Sequence, residues 1–331
     1  MALRRIILSG LAATLGLAAL TSCTASQREA SARDQYPPQG RFVEVDGTRM
    51  HAVVEGSGPD LVLIHGASGS LRDFTFDLVG RLAQEWRVIA IDRPGFGWSE
   101  LPDESPGLAV QARLLRGTAR SLGAEKPVVM GHSYGGAVAL RWALDYPNDI
   151  AALVPLSAPS QTWETGLPPF YSFLNSDFGD AVGVPLITAF APDSTLENAV
   201  REVFAPNPMP EDYAAHFGPE MTLRRQTLRT NAWQRKVLKE ELRGMIPNYP
   251  RISVPVEIVH GVADTTVGLS IHSEPLAGQI PGARLTPMPG IGHMPHHADP
   301  KTVIAAINRA GARAGLRRPS PNAIVEPEAE E

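Results

Sequence analysis

The sequence predicts an α/β fold: a mostly parallel central sheet, helices on both of its faces and a largely helical insertion. Three observations lead there. Short uninterrupted apolar runs, such as Leu61-Val62-Leu63-Ile64 and Val128-Val129-Met130, have the length and composition of strands buried on both faces. Segments of helical composition separate them, and strands that alternate with helices give a parallel sheet. The rhythm then lapses over residues 158–251, where no core strand is evident and Trp163, Phe170, Tyr171, Phe173, Phe178, Phe190, Phe204 and Tyr213 are scattered through helical and proline-rich pieces.

Taken in order, the chain begins with a basic Met1-Ala2-Leu3-Arg4-Arg5. An apolar run follows over residues 6–20, shorter than a comfortable membrane span. It ends in Leu20-Thr21-Ser22-Cys23, which resembles the lipobox of bacterial lipoproteins. That resemblance implies a signal peptide over residues 1–22 and cleavage before Cys23. It further implies acylation of Cys23 at its sulfur and amine, and a partner in the membrane of the bacterial cell envelope. Each buried methylene of such an anchor contributes ~0.8 kcal/mol. Thr24 stands where an inner-membrane retention signal would have Asp, which favours the outer membrane. Cleavage removes Arg4 and Arg5 and leaves the chain more acidic than its net charge of −5. Residues 23–40 then read as a polar tether.

The body follows. Residues 41–45 and 49–54 flank Asp46-Gly47 as a hairpin. Strands are expected over residues 61–65, 87–91, 127–130, 150–156, 254–260 and 283–288. Helices are expected near 73–84, 108–122, 134–145, 269–279 and 300–314. The core thus spans residues 41–157 and 252–315, with the insertion at 158–251. Its length places it at the carboxyl ends of the strands as a cap. Residues 316–331, rich in proline and acid, read as a disordered tail. At 331 residues and 43% hydrophobic content the chain can bury one large core and a smaller lid. Its basic residues are scattered, which gives no footprint for nucleic acid. Cys23 is the single cysteine, which excludes an intrachain disulfide framework or a cysteine-based zinc site. Nothing in the sequence sets an oligomeric state.

Chemistry enters at Gly131-His132-Ser133-Tyr134-Gly135, a match to G-x-S-x-G between a strand and a helix. Such a turn strains the serine backbone and aims its hydroxyl out of the sheet, at the start of a helix whose dipole favours negative charge. A glycine-rich turn with an incidental serine has the same pentapeptide, so the rest of the chain must decide. A serine nucleophile needs a base, and the base an orienting carboxylate. His132 lies inside the turn, His51 in a hairpin strand, and His65 and His260 at the ends of buried strands. His293, in the glycine-rich loop Gly290-Ile291-Gly292-His293 after a strand, is the candidate, with His296 and His297 next. Asp264, where residues 259–267 leave a strand, is the candidate carboxylate. The order Ser133, Asp264, His293 is the one the motif requires.

These segments, with His65-Gly66-Ala67-Ser68-Gly69 and Asp92-Arg93-Pro94-Gly95-Phe96-Gly97-Trp98-Ser99, resemble the α/β-hydrolases with a cap, over residues 41–315. The resemblance implies an oxyanion hole formed by the backbone N–H groups of Tyr134 and Ala67. It implies a structural turn at Asp92 and no metal or organic cofactor. The chain lacks the G-G-G of the lipase and esterase subgroup. Haloalkane dehalogenases and epoxide hydrolases of this fold carry Asp where this chain has Ser133. The expected reaction is hydrolysis of an ester-type bond in a small, hydrophobic substrate. Amides, lactones, C–C bonds β to a carbonyl and cofactor-free perhydrolysis stay open. So does a reading of another class, a ligand-binding envelope lipoprotein with a vestigial site.

Overall fold

The computed structural model describes residues 2–316, with side chains from residue 16 onward. Apart from Leu316, the expected tail lies outside the described residues. The chain runs through α1 (Ala2–Gln35), β1 (Arg41–Val45), β2 (Thr48–Glu55), β3 (Asp60–Ile64), α2 (Arg72–Thr75), α3 (Leu78–Leu82), β4 (Arg87–Ile91), α4 (Leu108–Ser121), β5 (Val128–His132), α5 (Tyr134–Asp145) and β6 (Ala152–Leu156). An insertion then carries α6 (Pro169–Leu174), α7 (Val184–Phe190), α8 (Asp193–Val203), α9 (Tyr213–Phe217) and α10 (Arg225–Met245). The core resumes with β7 (Glu257–Gly261), α11 (Ser273–Gln279), β8 (Arg284–Met288), α12 (Pro295–Ala298) and α13 (Pro300–Arg313).

The eight strands form one sheet in the order β1-β2-β4-β3-β5-β6-β7-β8. The hairpin β1–β2 is antiparallel, and β2 lies antiparallel to β4; every other pairing is parallel. The expected α/β class and mostly parallel sheet are therefore present. The reason is the burial: Leu61, Val62, Leu63, Ile64, Val128, Val129 and Met130 have no solvent exposure, so neither face of these strands could tolerate polar alternation. Successive side chains feed opposite layers. Val62, Ile64 and Val129 pack with Leu115, Val138 and Trp142 of α4 and α5. Leu61, Leu63, Val128 and Met130 pack with Phe74, Leu78, Leu82 and Ile307 of α2, α3 and α13.

The helix expected over residues 73–84 divides into α2 and α3. Asp77, at φ −150° and ψ −45°, leaves helical geometry between them and starts α3. The insertion contains no strand among the described residues, and it has an apolar centre of its own in Leu174, Val184, Leu223, Leu228 and Ala232.

The segment read as a polar tether is a correction. Residues 23–35 continue α1, whose 34 residues span about 50 Å at 1.5 Å per residue. Its last turns pack on the insertion. Ala25, Glu29, Ala32 and Tyr36 recur at helical spacing, and Ala32 and Tyr36 bury against Met221 with Trp98 alongside. Glu29 accepts from the Arg225 backbone N–H at 2.8 Å and from its guanidinium at 2.9 and 3.0 Å, and Arg28 reaches Asp193 at 2.6 Å. Burial favours a neutral Glu29 carboxyl, but the bonds from Arg225 outweigh it and hold the group below its usual range. The sequence hid this because the partners stand 196 residues apart and a run of Ser, Thr, Gln and Arg reads as solvated. Among the described residues, no helix is long and apolar enough to cross a membrane.

A prediction arises here. A chain beginning at Gln27 keeps these contacts; one beginning at Gln39 loses them. The loss of the Tyr36 burial and the Glu29 pair is expected to cost about 2–3 kcal/mol. Thermal melts of the two should then differ by roughly 5–10 °C. Equal melting temperatures would show that α1 adds nothing to the fold.

Candidate functional site

The parallel strands converge on one rim. Ser133 follows β5, Asp264 follows β7, the His293 loop follows β8 and Ala67 follows β3. All four leave the carboxyl ends of strands that flank β6 on its two sides, where open α/β sheets place their sites.

Ser133 sits at φ 50° and ψ −123°, a region that side chains other than glycine occupy only under constraint. Its N–H donates to the Leu156 carbonyl at 2.8 Å, which pins the turn to β6. The glycines beside it are sterically required. A Cβ at Gly131 would stand 2.1 Å from the Gly135 carbonyl oxygen, and one at Gly135 would stand 2.2 Å from the Ile64 oxygen. Both obstacles are backbone and cannot step aside. Gly135→Ala should therefore abolish soluble, cooperatively folding protein or cost more than about 3 kcal/mol in a denaturant titration. A normally stable Gly135→Ala protein would contradict the reading of this turn.

His293 Nδ1 donates to Asp264 Oδ2 at 2.7 Å. The other carboxylate oxygen accepts from the Thr266 and Val267 N–H groups at 2.8 and 2.9 Å, which orients the carboxylate from the backbone. A third ring completes the arrangement. His260 Nε2 lies 3.3 Å from Asp264 Oδ2 and 2.7 Å from the Val267 carbonyl, while its Nδ1 meets Ser273 Oγ at 2.6 Å. Burial raises the Asp264 pKa, but the hydrogen bonds from His260 and His293 outweigh it and hold the carboxyl well below its usual range. A permanently ionised acceptor fixes the proton on His293 Nδ1 and leaves Nε2 as the basic nitrogen. The structure thus brings Asp264 and His293 together and places Ser133 on the same rim. All three are nearly closed off, at 8% exposure for Ser133, 7% for Asp264 and 4% for His293.

The loop after β3 lies against the serine, since a Cβ at Gly66 would stand 3.2 Å from Ser133 Cβ. Ala67, half-buried, follows it, and Tyr134 opens α5 on the other side of Ser133. His65 anchors this loop. Its Nδ1–H donates to the Gly66 carbonyl at 2.9 Å and its Nε2 accepts from the Arg93 N–H at 2.9 Å. Burial, with Arg93 nearby, lowers its pKa to about 3, so it stays a neutral strut. The buried Arg93 guanidinium donates to the same Gly66 carbonyl and lies over the Tyr134 ring. Asn231 of α10 clasps the loop from the insertion, accepting from the Ser68 N–H at 3.1 Å and donating to Ser68 Oγ at 2.8 Å.

The remaining candidates separate by their partners. Asp92 accepts from the Leu71 and Trp98 N–H groups and from His51, which makes it the hub of a turn. Gly97 is its necessary neighbour, since a Cβ there would stand 2.1 Å from the carboxylate. His132 turns from the serine and donates from Nε2 to the His293 carbonyl at 2.8 Å. His296 and His297 contact Asp73 and not Asp264. Sequence reasoning passed over Asn231 and Asp73, because each acquires its role through a partner distant in the chain, and it left His260 as the end of a buried strand although Asp264 stands only four residues on.

The fold and this rim define a class. The chain belongs to the alpha/beta hydrolase family, whose sequence pattern matches residues 61–306. An uncharacterised protein of Mycobacterium tuberculosis is 28% identical, covering 88% of this chain and 90% of its own length. Among solved structures, a thermophilic esterase from Thermogutta terrifontis superposes with a TM-score of 0.67 at 21% identity, covering 83% of this chain and 99% of that one. The epoxide hydrolase CorEH superposes with a TM-score of 0.69 at 22% identity, covering 84% and 99%.

Proposed function

We propose that the chain is a serine hydrolase that cleaves a carboxylic ester of a small, hydrophobic substrate through an acyl-enzyme. The observation that carries this is the strained serine on the same rim as the His293–Asp264 pair. Ser133 Oγ attacks the carbonyl carbon while His293 Nε2 takes its proton, and the imidazolium formed is stabilised by Asp264. The tetrahedral oxyanion faces the N–H groups of Tyr134 and Ala67, donors worth roughly 10²–10³ in rate each. His293 returns the proton to the leaving alcohol. Water then repeats the attack on the acyl-enzyme, with His293 again as base, and releases the acid and Ser133. Every step uses side chains, backbone N–H groups and water. A serine at this position favours acyl transfer over the carboxylate-driven opening of epoxides.

The insertion acts as the cap. It covers the rim, and its aromatic residues supply an apolar surface for the acyl group, so access requires its movement. A panel of p-nitrophenyl esters of rising chain length tests the substrate class. Turnover should peak at one range of acyl lengths, and a panel without turnover would refute the ester assignment.

We further propose that Cys23 anchors the mature protein in the bacterial envelope. Cys23 is exposed on α1, and cleavage before it leaves the turns that grip the insertion intact. The anchor would then stand beside the cap. Wild type should incorporate a fatty-acid analogue and Cys23→Ser should not; unlabelled, soluble wild type would end this reading.

A further inference from the structure

Behind the candidate base lies a second group of buried polar side chains that the mechanism above does not use. Asp73, on the first turn after the Ala67 loop, is 3% exposed. Its Oδ1 accepts from Tyr213 Oη at 2.7 Å and from His297 Nε2 at 2.8 Å, and its Oδ2 accepts from His296 Nε2 at 3.1 Å. His132 Nδ1 approaches Oδ2 at 3.8 Å. Three separate pieces of chain meet on this carboxylate: α2 beside the oxyanion loop, the turn that continues from His293, and α9 of the insertion. An apolar seal of Phe204, Tyr213, Phe217 and Met294, with Phe76 against it, closes the group from the insertion side. Further titratable neighbours are His65, which feels the Asp73 charge, His293, 5.0 Å from the His132 ring, and His216, which bonds Thr75 Oγ1 from α9.

The donor atoms of Asp73, His296 and His297 lie within 4.8 Å of one another, compact enough for a cation. The hydrogen pattern points elsewhere. Both Nε2 atoms face a carboxylate oxygen and carry the proton. Coordination through His296 Nε2 would move its proton to Nδ1, which is buried with no partner among the described residues. A buried N–H without an acceptor is the costlier orphan, whereas the bare lone pair of the present tautomer is tolerated.

We propose that Asp73 is a positioning residue that ties the insertion to the loop carrying His293, so that seating of the insertion over Ser133 sets the orientation of the base. The path is short. Tyr213 brings the insertion to Asp73, and Asp73 holds His296 and His297, three and four residues beyond His293. His132 holds the His293 carbonyl from the serine turn. The insertion therefore does more than cover the site: its correct closure completes it. This rests on His293 acting as the base.

The test uses the full chain with Tyr213→Phe, Asp73→Asn and the double variant. Tyr213→Phe keeps the ring in its apolar seal and removes only the hydroxyl, so it decides the matter even if Asp73→Asn fails to fold. Expected are a kcat lowered about 3–10-fold by Tyr213→Phe and about 10–100-fold by Asp73→Asn, with KM within about twofold. The double variant should be no worse than Asp73→Asn, because the hydroxyl acts only through the carboxylate. Because either variant loosens the tie between the insertion and the loop carrying His293, the His293 imidazole resonances should move from their wild-type positions in Tyr213→Phe and in Asp73→Asn. Nuclear magnetic resonance of that ring reads this without any substrate, which separates failure of this proposal from failure of the hydrolase reading. A folded Tyr213→Phe protein with wild-type kcat and wild-type His293 resonances would overturn it, as would multiplying effects in the double variant. Dialysis against a chelator should change nothing. Stoichiometric zinc that leaves together with activity would replace the positioning role with a metal centre.

Discussion

Asp264→Asn and His293→Ala are each expected to lower kcat by roughly 10⁴–10⁶-fold, and the double variant to be scarcely worse than the poorer single one. The reason is geometric. Asp264 acts only through the 2.7 Å bond to His293 Nδ1, so once the imidazole is gone its carboxylate has nothing to orient. Asparagine at 264 offers either a carbonyl or an N–H. In the second case the wrong tautomer is fixed and Nε2 holds the proton that it should accept. The residual rate then comes from the oxyanion donors and substrate binding. Steady-state kinetics on the best ester of the panel reads this. Effects that multiply would show that the two residues serve separate functions. A nearly active Asp264→Asn enzyme would direct attention to another acid.

The second large effect concerns pH. His65, His132, His272 and His296 are buried and kept neutral, foremost by burial, with pKa values pushed to about 3 for His65, about 4 for His272 and well below the ordinary range for His132. The sign follows from linkage. Below pH ~6.5 the unfolded chain takes up protons at these imidazoles more readily than the folded chain, so stability falls with pH, by roughly 1 kcal/mol per unit each for His65 and His272 and in the same direction for His132 and His296. It is fully present above pH ~6.5 and is lost progressively as the pH approaches the folded-state values. The depressed carboxylates Asp73, Asp92 and Asp264 act in another window, contributing above pH ~4 and failing only below it. Between pH 7 and 5.5 the melting temperature should therefore drop by roughly 5–15 °C, ahead of any carboxylate titration. A flat profile from pH 7 to 5 would mean that these histidines are not buried as described.

The sheet was legible because its strands are apolar on both faces. Leu61 to Ile64 and Val128 to Met130 tolerate no polar position, and that density survives without any knowledge of partners. The serine turn was legible for a related reason. A Cβ at Gly131 or Gly135 would stand about 2 Å from a backbone oxygen, so steric exclusion writes itself into the sequence as glycine. Asp264 and His293 could be named because the motif orders them along the chain. What stayed hidden depends on contacts across long separations. The helix at residues 23–35 is polar in composition, and only Arg225 and Met221 reveal which face is inward. Asp73 reads as an ordinary helix residue until His296 and His297, more than 220 residues away, arrive beside it. Those two histidines had stood out as possible bases. The attraction was real chemistry directed at a different carboxylate.

The central claim is that Ser133 is a nucleophile activated by its setting. The most direct measurement is covalent labelling of the full chain with a fluorophosphonate, followed by intact mass and peptide mapping. The account predicts one adduct per chain, on the peptide containing Ser133, formed at neutral pH and lost in Ser133→Ala, while that variant melts as wild type does. Labelling that persists in Ser133→Ala, or folded wild type that takes up no probe, would contradict it.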